Sequence, residues 1–182
     1  IMCLNIFLHH ASICYYYLSS QQKRQKFLPF GQNARTSNES NWSNINIFMD
    51  DHYLQVFRSL VRDTRESYGY QLPNFVEQYV VMLLADHIDR PDWMPTNSFV
   101  EAYMLIKNSR DAKLLGDECL FLCGVFPDYG KRRGLDVTYY ANIGSGSYSK
   151  ASRTLNQKLF EDLSQHFDIV SKFINVTVRG VN

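Results

Sequence analysis

From residue 50 onward, apolar side chains recur at helical spacing in a series of separate stretches. The first covers about 50–68 through Tyr53, Leu54, Val56, Phe57, Leu60, Val61 and Tyr68. Asp50 and Asp51 suit the positive end of its dipole, and Gly69 is a natural stop. Arg58, Arg62, Asp63, Arg65 and Glu66 lie on the other face and read as solvated, with local charge pairs. Pro73 fits the first turn of a second helix, about 73–89, ended by Arg90-Pro91-Asp92-Trp93-Met94-Pro95. Its middle, Tyr79 to Leu84, is apolar on nearly every side, so this helix is expected to be central and buried.

A third helix is expected over about 98–107, capped by Asn97 or Ser98. A fourth runs from about 110 through Leu115, Cys119, Leu122 and Cys123 to Phe126, where Pro127-Asp128-Tyr129-Gly130 terminates it. Asp136 can cap a fifth helix over about 137–152. The last, about 155–176, has a regular stripe from Leu155 to Val176 and contains no glycine. Asn175-Val176-Thr177-Val178-Arg179 is the one β-like run. No stretch alternates strictly between apolar and polar, so the expectation is an all-α, single-domain bundle of five or six helices.

The first forty-eight residues differ in kind. Ile1 to Leu18 is apolar and aromatic without charge, and Lys23-Arg24-Gln25-Lys26 follows it, the reverse of the order in a secretory signal. Residues 31–46 are rich in Asn, Ser and Gln, a composition too poor in apolar surface to offset the entropy of ordering. Residues 1–48 are therefore expected to be a non-native or disordered extension. Met49 is then the natural start of a helical domain over 49–182, and a membrane anchor at residues 1–18 is the alternative.

Charge narrows the partners. Residues 1–48 carry four basic groups against one acidic, leaving 15 basic and 17 acidic groups in the remainder. A mildly acidic domain is not expected to bind nucleic acid, although Lys131-Arg132-Arg133 forms a basic turn. Four cysteines in 182 residues are too few for a disulfide scaffold. Cys119 and Cys123 fall in an apolar helical run, where free Cys acts as a small hydrophobe, and a reducing, cytoplasmic setting fits. Cys3, His9, His10 and Cys14 match no zinc spacing, so no metal and no cofactor are expected.

Two features near the middle bear on chemistry. Gly144-Ser145-Gly146-Ser147 resembles a phosphate-cradling loop in composition only. No strand precedes it, and Tyr139, Tyr140, Ile143 and Tyr148 keep helical spacing across it. Close helix packing along Gly144, Ser147 and Ala151 is the reading that offsets the helix-breaking tendency of glycine. Asp117 and Glu118 lie inside an otherwise apolar helix. One is expected to stay in water and the other to be buried and paired with Arg133 or Arg153, because a buried acid needs a partner.

The pattern Gly116-Asp117-x-Cys119-Leu120-x-x-x-Gly124-x-Phe126-Pro127, then Arg133-Gly134-Leu135-x-x-x-Tyr139-Tyr140-x-x-x-Gly144-x-x-x-Tyr148, resembles a group of short uncharacterised bacterial helical proteins over about residues 50–176. The resemblance implies a helical fold and a bacterial, cytoplasmic origin, and carries over no catalytic residue. Function is accordingly expected to run through protein contacts, with a homodimer as one form, and no catalytic set is assigned. The alternative is a small-molecule or enzymatic site between helices around the 116–148 hairpin, built from Asp117, Arg133, Tyr139, Tyr140 and Tyr148.

Overall fold

The computed structural model describes residues 51–88, 98–131 and 134–179. The expectations for residues 1–48, for Met49 as the start and for an anchor at 1–18 lie outside that range. So do Arg132, Arg133 and the Arg90–Pro95 segment.

The described residues form seven helices and no strand: α1 (Asp51–Tyr68), α2 (Asn74–Ile88), α3 (Phe99–Met104), α4 (Ser109–Val125), α5 (Val137–Ala151), α6 (Gln157–Gln165) and α7 (Phe167–Arg179). The all-α expectation holds, with more helices than the five or six expected. The difference arises at the C-terminal end, where the single helix expected over 155–176 is two. His166 leaves helical geometry at φ −111 and ψ 23, although its N–H still bonds Asp162 O. No Pro or Gly marks that break. The β-like run 175–179 is the last turn of α7, and its alternation gives way to a helix whose Thr177 and Val178 are buried.

Local chemistry starts each element. Gly69, at φ +66, closes α1 by donating to Arg65 O at 3.0 Å, a left-handed position that suits glycine. Ser98 and Glu101 form a reciprocal capping box on α3. Asn108 Oδ1 accepts from the Arg110 and Asp111 amides, both at 2.9 Å, to open α4. Asp136 accepts from Val137 N at 2.6 Å to open α5, as expected from sequence. The third helix is shorter than 98–107: it ends at Met104 with Leu105 as its C-cap, and Asn108 then caps α4.

The most extensive helix contact joins α4 to α5; α7 packs on α4, α6 on α5, and α1 on α2. Every residue of α4 from Leu115 to Gly124 is buried. This, and not the second helix, is the element enclosed on all sides. On α2, Gln78 is exposed and Met82 is 54% exposed, because those positions turn towards an open cleft along α1. No helix among the described residues is long and apolar enough to cross a membrane.

Glycine permits the tight α4–α5 approach. A Cβ on Gly144 would lie 2.5 Å from the Phe167 ring and 2.7 Å from Cys119 Cβ, and one on Gly116 would lie 2.7 Å from the Tyr148 ring. Gly144, Ser147 and Ala151 are all buried within continuous helix. The 144–150 stretch is therefore a packing surface and not a phosphate loop.

Candidate functional site

The polar centre of the molecule is Asp117, on the enclosed face of α4 and only 5% exposed. Its Oδ1 accepts from two tyrosine hydroxyls, Tyr148 of α5 at 2.8 Å and Tyr79 of α2, while Oδ2 accepts from Lys113 Nζ at 2.6 Å one turn earlier on α4. Taking a carboxylate out of water costs several kcal/mol unless such partners compensate. Here three donors do, one of them cationic, and they tie three helices together.

Aromatic packing encloses these bonds. Tyr148 is fully buried and stacks on Phe160 of α6 with centroids 5.7 Å apart. Tyr79 stands edge-on to both Tyr148 and Phe160, and Lys113 Nζ lies 5.5 Å from the centre of the Tyr79 ring. Burial first, and the adjacent Asp117 carboxylate second, raise both phenols well above the ordinary tyrosine range. Both hydroxyls therefore remain donors to Asp117 at any physiological pH.

Glu118, the next residue, is 8% exposed, and its carboxyl makes no hydrogen bond to another described residue. Burial, and then repulsion from Asp117, push its carboxyl up to about 8. It is thus held largely neutral near pH 7. The expectation that one acid of this pair stays in water is overturned: both are buried, because α4 is enclosed on all sides at this level. The expected partner Arg153 is corrected too. Asp117 is held by Lys113, Tyr79 and Tyr148, Arg153 is exposed, and Arg133 lies outside the described residues.

Of the other residues expected at a site, Asp117 and Tyr148 meet. Tyr139 and Tyr140 belong to a different group, in which the Tyr140 ring meets Phe99 at 5.2 Å, Tyr129 at 6.1 Å and Tyr139 at 4.9 Å. Eight residues separate Tyr140 from Tyr148, roughly 12 Å along the α5 axis. The tyrosines of α5 thus divide between two ends of the helix. Tyr79 and Lys113 were not among the expected residues. Lys113 had a local signal, the i,i+4 spacing to Asp117. Tyr79, 38 residues away, read only as one more apolar position of its helix.

Cys119 and Cys123 are free and buried. Burial is the main cause that pushes the Cys123 thiol up to about 12 and Cys119 well above its usual value. Such thiols are poor nucleophiles. His87, also buried, stacks on Phe121 at 4.5 Å with Nδ1 2.9 Å from Leu83 O. Lys131, in the basic turn, is exposed and pairs with Asp128 at 2.6 Å. Among the described residues, no three His, Cys, Asp or Glu side chains gather as a metal site.

The chemistry this arrangement supports best is cohesion. Both tyrosine hydroxyls and both oxygens of Asp117 are engaged within the protein. No protein-family model, no curated protein and no solved structure matches the chain.

Proposed function

We propose that this helical protein acts through contact with another protein chain in the cytoplasm, with pairing of two copies as the first form to test. The observation that carries the reading is the pair Met104 and Leu105 at the end of α3, 77% and 57% exposed. Leu114 on α4 is a third large apolar side chain left about half exposed. Single exposed apolar residues are ordinary, but adjacent ones on a short, capped helix mark a surface that gains from being covered. The polar centre around Asp117 supports the same reading, since its hydrogen-bonding groups are engaged in joining helices. The free cysteines suit a reducing compartment.

Light scattering after size exclusion, over a range of micromolar concentrations, tests the pairing. A dimer that becomes a monomer in the double variant Met104→Glu/Leu105→Glu is the expected result. A monomer at every concentration, unchanged by that variant, would remove self-association.

A further inference from the structure

We infer that the cleft between α1 and α2 binds a small zwitterion with an aliphatic side chain, of the chemistry of a branched apolar α-amino acid. The cleft has a volume of about 400 Å³, within the range of about 300–1,000 Å³ usual for small-molecule sites. It is lined by one stripe from each helix. Arg58, Val61 and Arg62 come from α1, and Asn74, Glu77, Gln78, Val81 and Met82 come from α2.

Three kinds of surface meet there. Val61 and Val81 are buried apolar residues in its lining, and Met82 is left half exposed beside them. This is an apolar seat that the protein itself leaves uncovered. On the α1 side, Arg58 makes no ion pair or hydrogen bond to another described residue. Arg62 makes only long contacts, 3.4 Å to Ser59 Oγ and 3.5 Å to Asp63 Oδ1. One turn apart on the same helix face, the two guanidinium groups are placed to hold a carboxylate.

The third element is Glu77. Its side chain is 8% exposed, and Oε2 accepts from Arg65 Nη1 at 3.1 Å. Oε1 is buried and has no hydrogen-bond partner among the described residues. An orphaned carboxylate oxygen costs its full desolvation, and a ligand N–H would recover it. Glu77 itself lines the cleft, so an ammonium entering there meets this carboxylate. Two guanidinium groups, an apolar seat and a carboxylate with one oxygen unpartnered among the described residues thus line one cleft, and an aliphatic α-amino acid supplies the complement of each.

The test is NMR titration of isotope-labelled full-length protein with three probes. L-leucine carries all three groups, 4-methylpentanoate lacks the ammonium, and 3-methylbutylamine lacks the carboxylate. Saturable shifts at Val61, Val81 and Met82 are expected with leucine, which should bind at least about tenfold tighter than either truncated probe, since each loses a charge-assisted hydrogen bond. Arg58 is exposed and makes no described internal bond, so Arg58→Ala should weaken leucine by about tenfold while leaving the melting midpoint unchanged. Glu77→Gln should abolish the preference of leucine over 4-methylpentanoate. Should that variant unfold, the probe series and Arg58→Ala decide alone. Three results would overturn the assignment: no saturable shift with leucine at millimolar concentration, 4-methylpentanoate binding as tightly as leucine, or leucine shifts confined to residues away from this cleft.

Discussion

The Tyr148 hydroxyl reaches Asp117 Oδ1 at 2.8 Å from a ring that lies against the bare Cα of Gly116, the residue immediately before the aspartate. Gly116 and Asp117 thus act as one unit: the first makes room for the ring and the second receives its hydroxyl. With Tyr148→Phe, Asp117 stays buried with one donor fewer. A hydrogen bond to a charged group contributes about 1.5–3 kcal/mol, and a loss of that size is expected in urea denaturation. An unchanged midpoint would mean that the hydroxyl contributes nothing.

Two glycines on α5 should respond in opposite directions to the same substitution. At Gly144 a new methyl would meet the Phe167 ring and Cys119 Cβ, both in the closed core, and overpacking of this kind costs about 1–3 kcal/mol. At Gly146 it would meet the Tyr103 hydroxyl at 2.9 Å, the far end of a half-buried side chain that can move. There the helix propensity of Ala, worth up to about 1 kcal/mol over Gly, should dominate. Gly144→Ala is therefore expected to lower the thermal midpoint and Gly146→Ala to hold or raise it. Two equal decreases would indicate that Tyr103 is as rigidly held as Phe167.

These residues also show what sequence carries and what it does not. The helical stripes and the Asp136 cap were legible because each depends on neighbours within one or two turns. The close approach at Gly144 was legible because apolar residues keep helical spacing across that glycine, although the Phe167 and Cys119 side chains it admits come from other helices. The break at His166 was not, since nothing in its vicinity disfavours a continuous helix, and it is recognised only from the backbone geometry there. The surroundings of Asp117 were legible by half. Lys113 stands at i,i+4 and Tyr148 belonged to the expected hairpin, but Tyr79 arrives from α2 by tertiary packing alone. Tyr139 and Tyr140 looked equivalent to Tyr148 in one dimension, yet two helical turns place them among different rings.

Thiol reactivity gives a third test. Cys119 and Cys123 lie on the enclosed face of α4, with thiols raised chiefly by burial. Because the thiolate is the reactive form, iodoacetamide near pH 8 should leave both unmodified in the native protein and label both in denaturant. Peptide mapping by mass spectrometry separates them from Cys3 and Cys14. Rapid native labelling at either position would show that α4 opens readily.

Glu118 should give the protein a pH dependence opposite to that of a salt-bridged acid. In the folded chain its carboxyl is pushed up to about 8 by burial and by Asp117, whereas in the unfolded chain it returns to about 4.3. Between those values the folded state holds a proton that the unfolded state has released. Stability therefore falls as pH rises through the window, by up to about 1.4 kcal/mol per pH unit for one fully coupled proton, and levels off above about 8. Glu118→Gln keeps the shape and removes the titration. Its advantage over the natural chain should be smallest near pH 4.5 and grow steadily towards pH 8. Denaturant midpoints of the two proteins measured across that range decide the matter. Parallel curves would mean that Glu118 ionises freely in the fold, and that α4 is better hydrated at this point than its burial implies.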